Sequence, residues 1–282
     1  MTEVPGAAGS ERIADLFDLV ADSYDNVGVD FFGPIAERLV AAVGPPAGAR
    51  VLDIGCGRGA VLFRLAAAVG SDGEVTGIDL SPNMVAATAH DARAHGLANV
   101  HVQMMDAMDP RLPQGAFDAI TASFMIFFLP DPAAALTRWR SLLVPRGTVA
   151  VSTFSAWDPR WAQLEDLFTP YHGEGGRDFF PIDPRDPNGP FGSDAGVEAL
   201  MHEAGLVDAR STSFELVQRF DDAAQWFAWT RSHGQRMLWE AIPAEEVDRV
   251  RDAAFERLDG WRDDEGRITA RHRIRITLAQ RP

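Results

Sequence analysis

Lysine is absent from this 282-residue chain; all 26 basic residues are arginine. That excludes a phosphate-loop lysine and a lysine Schiff base. Cysteine occurs once, at Cys56, so no intrachain disulfide and no multi-cysteine metal site can form, and a reducing, cytoplasmic location is expected. No H-E-x-x-H pattern or clustered acid set suggests a metal. No apolar run approaches the roughly 20 residues of a membrane helix. The opening "MTEVPGAAGS" lacks the basic and apolar regions of a signal peptide and reads as a flexible tail. Positive charge is also scarce: the net charge is −15. A field of that sign opposes the basic patch that a phosphate backbone requires, so nucleic acid is set aside as a partner.

What remains is an ordinary soluble composition, 46% hydrophobic, with a regular pattern in its first half. Ile13, Leu16, Phe17 and Val20 share one helical face, and a second helix spans about 31–43. From residue 50 the chain alternates between strands and helices. Strands are predicted at about 50–54, 74–80, 99–106, 117–124 and 147–154. Ser81-Pro82 and Asp131-Pro132 each open a helix in the preferred order of cap residue, then proline. Such alternation marks a parallel sheet covered on both faces.

The second half is less regular. Residues 154–192 are rich in proline, glycine and aromatics, a length of irregular chain that usually serves a site. A helix at about 194–204, a strand at about 207–217, a helical block at about 221–257 and a closing strand "ITARHRIRITLAQ" follow. In that strand Ile268, Ala270, Ile274 and Ile276 mark the inward register.

The chemistry concentrates in "VLDIGCGRG", residues 51–59, an apolar strand running through Asp53 into Gly55, Gly57 and Gly59. The run "GCGRGA" satisfies the dinucleotide pattern, and Asp79 lies where a ribose-binding acid belongs. A nicotinamide oxidoreductase is therefore a competitor. Asp53 separates the readings. A carboxylate at the strand end repels a pyrophosphate by a few kcal/mol, on the order expected at intermediate dielectric. The same charge attracts S-adenosylmethionine, which has no phosphate and carries an ammonium and a sulfonium. Asp53 alternatively braces the turn by hydrogen bonds. Asp79, ending the second strand, suits the two ribose hydroxyls. Asp106, after the third strand, suits the adenine amino group, with Met105 and Ala107 on the ring; Asp109 is near enough to exchange roles with it. These acids stand at the carboxyl ends of successive strands, where open α/β sheets bind ligands.

The motifs "VLDIGCGRG", "GIDLS", "MDAMD" and residues 117–154 resemble the class I S-adenosylmethionine-dependent methyltransferases. Within them the chain resembles the branch of menaquinone and ubiquinone C-methyltransferases and many natural-product methyltransferases. "FDLVADSYD", residues 17–25, is similar to that branch's F-x-x-x-A-x-x-Y-D helix. The resemblance implies a Rossmann-like, seven-stranded, mostly parallel α/β sheet with a helical and loop cap and an antiparallel last strand. It implies that Tyr24 lies over the methionine part of the cofactor, that Gly55 and Gly57 allow the backbone to approach it, and that Ser123 lines the methionyl end. Asp53, Asp79, Leu80, Met105, Asp106 and Ala107 complete the expected cofactor set. Many relatives carry histidines at the lip after the fourth strand; here Phe127 and Phe128 occupy it.

The predicted organisation is a tail (1–9), N-terminal cap helices (10–45), a cofactor-binding core (46–153), a cap excursion (154–192), a core continuation (193–220), a helical cap insertion (221–262) and a final core strand (263–282). Six of the seven tryptophans follow residue 150, and most are expected in the cap's own core, with two or three facing an acceptor. His233, His172 and Glu174 are the candidate bases. The expected reaction moves a methyl group from S-adenosylmethionine to an oxygen or carbon of a small apolar acceptor, aromatic, polyketide or isoprenoid, in natural-product tailoring. A quinone-type C-methyltransferase, a non-methylating relative that binds the cofactor, and more distantly the NAD-dependent oxidoreductase stand as alternatives.

Overall fold

In the computed structural model, residues 7–172 and 181–282 are described. In chain order the elements are α1 (Ala7–Val20), α2 (Phe32–Val43), β1 (Arg50–Ile54), α3 (Leu62–Val69), β2 (Glu74–Asp79), α4 (Pro82–Ala94), β3 (Val100–Met104) and β4 (Phe117–Ser123). Then come α5 (Pro132–Leu142), β5 (Leu143–Ala156), α6 (Trp161–Glu165), α7 (Thr169–His172), α8 (Asp194–Glu203) and β6 (Val207–Phe220). The chain finishes with α9 (Ala223–Thr230), α10 (Arg236–Glu240), α11 (Val247–Asp259) and β7 (Ile268–Gln280).

The seven strands form one sheet in the order β3-β2-β1-β4-β5-β7-β6. β1 to β5 pair in parallel, and β7 runs antiparallel between β5 and β6. The fold is the expected Rossmann-like sheet, antiparallel last strand included. Strand order reverses between β1 and β4, so their carboxyl ends open a crevice at the switch point.

Local chemistry explains the helix starts. Ser81 Oγ accepts the Met84 N–H at 3.0 Å, and Asp131 accepts the Ala134 N–H at 2.8 Å, each just before a proline. Ser193 and Asp222 cap α8 and α9 in the same way.

Two sheet-face cores and a third, aromatic core follow from the pattern. Leu52, Ile54, Ile120 and Trp139 are buried on one face of the sheet. Val51, Leu62, Leu65 and Val75 are buried on the other. Trp226, Trp229, Trp239 and Trp261 gather with Phe220 and Ile268 in the core of the helical segments.

Two strands differ from expectation in their bounds. β5 begins at Leu143 rather than 147, because Leu143 pairs with Phe117 across a register shift. β6 runs on to Phe220, because pairing with β7 continues to the Phe220–Ile268 register. Of the two N-terminal helices, α2 straddles layers. Its Ala36, Leu39 and Val40 pack in the sheet-face core, and Ile35 joins the aromatic core. The block at 221–257 resolves into α9, α10 and α11.

Candidate active site

The glycine loop after β1 turns through left-handed backbone at Gly55 (φ 66°) and Gly57 (φ 48°). A Cβ on Gly55 would sit 2.8 Å from Met125 Cγ, so a side chain there is excluded twice, by conformation and by space. Main-chain N–H groups of Gly55 and Cys56 bond to the Ile78 carbonyl at 2.8 and 3.0 Å, tying the loop to β2. Thr88 Oγ1 donates to the Gly57 carbonyl at 2.6 Å from α4. Arg58 donates to the Ala21 carbonyl at 2.7 Å and pairs with Asp91 at 2.6 Å, so one guanidinium binds the loop to the end of α1 and to α4.

Above this loop lies a cleft of about 800 Å³. Its floor is Gly55, Gly57 and Asp79, and its far end is Met105, Asp106 and Ala107. Tyr24, Leu80 and Ser123 also line it. The sequence thus brings together every expected cofactor residue except Asp53. Among the described residues that line it, none is arginine or histidine.

Asp79 is half-buried at the end of β2. Its Oδ2 accepts the Gly57 N–H at 2.8 Å and its Oδ1 the Ser81 N–H at 3.0 Å. Burial raises its pKa, and the N–H groups of Ser81, Gly57 and Leu80 oppose that rise. Each oxygen keeps a lone pair for a diol. Asp106 is exposed at the rim, its Oδ1 accepting the Met108 N–H at 2.8 Å. Asp109 does not exchange roles with it. That carboxylate faces Arg138 at 3.4 Å and Arg111 at 3.6 Å, outside the cleft. Trp139 Nε1 donates to the Ala107 carbonyl at 2.7 Å and so braces this end of the cleft from α5.

Asp53 lies beneath the cleft rather than in its lining. It is 2% exposed and accepts the Thr121 hydroxyl at 2.7 Å. Burial lifts its pKa to about 7, with the charge of Asp79 adding and the Thr121 bond subtracting. The carboxyl therefore ties β1 to β4, one layer below the cleft. Ser123 Oγ shares a hydrogen bond of 2.8 Å with Ser152 Oγ. The Tyr24 ring stacks on Phe32 at 5.1 Å and stands over the glycine loop, 3.9 Å from where a Gly57 Cβ would be.

The cleft opens into a second cavity of about 990 Å³. The two share Phe17, Tyr24, Phe124 and Phe128. Phe124 holds a left-handed backbone (φ 55°), an energetically costly conformation for an aromatic residue that marks the junction. Trp157, Trp161 and Trp229 line the cavity, Trp161 and Trp229 as part of the aromatic core that also holds Trp226, Trp239 and Trp261. Phe127 and Phe128, at the lip after β4, line it too.

The candidate bases fare differently. His233 does reach the cavity. Its ring lies 4.1 Å from Trp229, and burial pushes its pKa down to about 3, so it is a poor proton acceptor. The His172 side chain and Glu174 lie outside the described residues. Glu165 lines the cavity but is paired with Arg185. Sequence reasoning missed His272, which is buried at the cavity wall on β7. His272 shares the inward register of Ala270 and Ile274. It also missed Ile13, Ala14 and Phe17 as cleft wall, contributed by α1. That helix is tied down by Asp18, which bonds the Ser81 hydroxyl and accepts the Asn83 N–H at 3.0 Å.

Comparison with known proteins agrees with this geometry. A family model described as a methyltransferase domain matches residues 51–147. Nocamycin O-methyltransferase of Saccharothrix syringae is 37% identical over 254 residues, covering 86% of this chain and 88% of that protein. Aklanonic acid methyltransferase DauC of a Streptomyces species is 42% identical over 143 residues, covering 51% of this chain and 65% of its own length. The crystal structure of the YcgJ protein of Bacillus subtilis superposes with a TM-score of 0.59 at 18% identity, over 87% of this chain and 97% of that one, a likeness of fold. Among the described residues no helix is long and apolar enough to cross a membrane. A Rossmann-like sheet, a glycine loop flanked by acids and a full-length relative at 37% identity place the chain in the class I S-adenosylmethionine-dependent methyltransferases.

Proposed function

We propose that the protein methylates an oxygen of a small apolar acceptor in natural-product tailoring, with S-adenosylmethionine as donor. One observation carries the reading: an acid-lined cleft without a basic side chain opens directly into an aromatic cavity. The donor set fits a cationic nucleoside without phosphate and offers nothing to neutralise a pyrophosphate, which disfavours the nicotinamide alternative. Asp79 would hold the ribose hydroxyls, Asp106 the adenine amino group, and Met105 and Ala107 the ring. Tyr24, Gly55, Gly57 and Ser123 would enclose the methionyl end, with Asp53 supplying charge from below. When bound, the cofactor supplies a methyl carbon already activated by its sulfonium.

The chain's own residues then have two tasks, alignment and water exclusion. The reacting centre belongs where cleft and cavity share Phe17, Tyr24, Phe124 and Phe128. Four aromatic rings there exclude water and restrict the acceptor's approach to one direction. The cap is assigned to α1, the excursion around α6 and α7, and the α9–α11 block. The relative named as an O-methyltransferase favours oxygen over carbon as the atom methylated.

Calorimetry with S-adenosylhomocysteine and transfer of a labelled methyl group to aromatic polyketide acceptors test the proposal together. Uptake of the nucleoside with label in an acceptor supports it. Uptake with no transfer across a broad acceptor panel favours the non-methylating reading. No uptake refutes both.

A further inference from the structure

The aromatic cavity is walled by residues with ring N–H groups, two of which have no hydrogen-bond partner among the described residues. His272 Nδ1 accepts the main-chain N–H of Asp158 at 3.3 Å. A backbone N–H only donates, so Nδ1 carries the lone pair and a neutral ring must hold its proton on Nε2. Burial keeps the ring neutral, lowering its pKa to about 4 against the opposing charge of Asp158. The Asp158 loop is itself fixed: its carboxylate accepts from the Arg271 N–H at 2.9 Å and pairs with Arg160 at 2.6 Å. Asp158 is thus a positioning residue for His272. The same arrangement recurs at His233, whose Nδ1 accepts the Gln235 N–H at 3.4 Å. Its Nε2 is buried with no hydrogen-bond partner among the described residues. Trp157, stacked on Phe154 at 3.5 Å, has its Nε1 buried and likewise without a partner among the described residues.

Three donors on the walls of one cavity have a common chemical complement. We propose that the cavity binds a flat aromatic acceptor bearing a carbonyl or ionised oxygen, and that His272 and His233 bind such oxygens as neutral Nε2–H donors. This rests on the acceptor-cavity reading above. It reassigns His233 from base to donor, since a nitrogen that already carries a proton cannot take another. It also divides the acceptor classes. A hydrocarbon isoprenoid chain would fill the cavity yet leave these donors buried and unpaired, which is the costly side of hydrogen-bond exchange. An oxygenated aromatic ring satisfies them while its faces meet Phe154, Trp157 and Trp229.

The test uses the full chain with saturating S-adenosylhomocysteine and two matched tricyclic probes, xanthone and xanthene, which differ by one carbonyl oxygen. Quenching of tryptophan fluorescence reads their affinities. Xanthone is expected to bind at least about tenfold tighter than xanthene. His272→Phe and His233→Phe should each erode that preference, whereas His272→Gln, which keeps an N–H donor, should retain it. Equal or absent binding of the two probes to the wild type overturns the proposal, as does a preference that survives both Phe variants. Should a Phe variant fail to fold, nitrogen-15 histidine spectra of the wild type decide. A lone pair on His272 Nδ1 is required, and a proton there refutes the donor assignment. Loss of S-adenosylhomocysteine binding would instead sink the cofactor reading, so the two failures are distinguishable.

Discussion

Cofactor binding should release a proton, and Asp53 is the reason. Its carboxyl is buried under the glycine loop with a pKa near 7 in the unliganded protein. At pH 6 about ten in eleven molecules then hold it protonated, and at pH 8 about one in eleven. A cationic ligand above the loop favours the ionised form. Its affinity therefore rises as pH rises, by about tenfold or about 1.4 kcal/mol between pH 6 and 8, provided ligation takes the pKa well below 6. The unliganded protein shows the opposite sign. A carboxyl whose folded pKa is raised stabilises the fold while protonated, and that stability is lost as pH climbs from the unfolded value near 4 through 7. Between pH 6 and 8 this should cost the free protein about 1.4 kcal/mol. Titration calorimetry with S-adenosylhomocysteine, run at pH 7 in buffers of different ionisation enthalpy, should count about half a proton released. Asp53→Asn should abolish both the release and the pH slope. A flat affinity from pH 6 to 8, or a slope that survives Asp53→Asn, refutes the reasoning.

Other perturbations have equally definite outcomes. Asp79→Ala should weaken S-adenosylhomocysteine binding by roughly 1.5–3 kcal/mol, the scale of charge-assisted hydrogen bonds, and an unchanged dissociation constant would remove Asp79 from the site. Gly55→Ala should cost about 1–2 kcal/mol in denaturant unfolding, because the position needs left-handed backbone and a Cβ would meet Met125. Trp139→Phe removes the bond to the Ala107 carbonyl without touching the cleft, and should weaken the nucleoside by about 1 kcal/mol in calorimetry. Asp158 has its pKa lowered to about 2, despite burial, by its bonds with Arg160 and the Arg271 and Arg160 N–H groups. A depressed carboxylate contributes stability above its unfolded pKa, so about 1–2 kcal/mol should be lost as pH falls from about 4 to about 2, and Asp158→Asn should flatten that limb of the acid-denaturation curve.

The sheet was legible because its signals are local. Cap-then-proline pairs, apolar strands and the glycine spacing need no knowledge of the rest of the chain. Asp79 and Asp106 could be placed because a strand's end fixes where its next residues point. What failed was non-local. β6 was cut short at Val217 because Gln218 and Arg219 look like an ending, yet pairing with β7 carries the strand on. Asp53 was legible as an acid of the site but not as a buried brace, since that depends on Thr121 of a distant strand. Which three tryptophans face the cavity depends on how the excursion packs against α9 and β7. His233 was found by its segment, whereas its role depends on burial and on the Gln235 N–H. His272 is not distinguished by any local signal, because its place on the cavity wall depends on the packing of β7 against the Asp158 loop.

Ile13, Ala14 and Phe17 of α1 form part of the cleft wall, latched by Asp18 and by Arg58. The nucleoside chamber is consequently not contained within the sheet unit that begins at residue 51. Trimming the protein to that unit would amputate one side of the chamber, and a variant library confined to the glycine loop would leave this wall untouched by design. Engineering of donor selectivity therefore starts in the first twenty residues, ahead of the glycine loop.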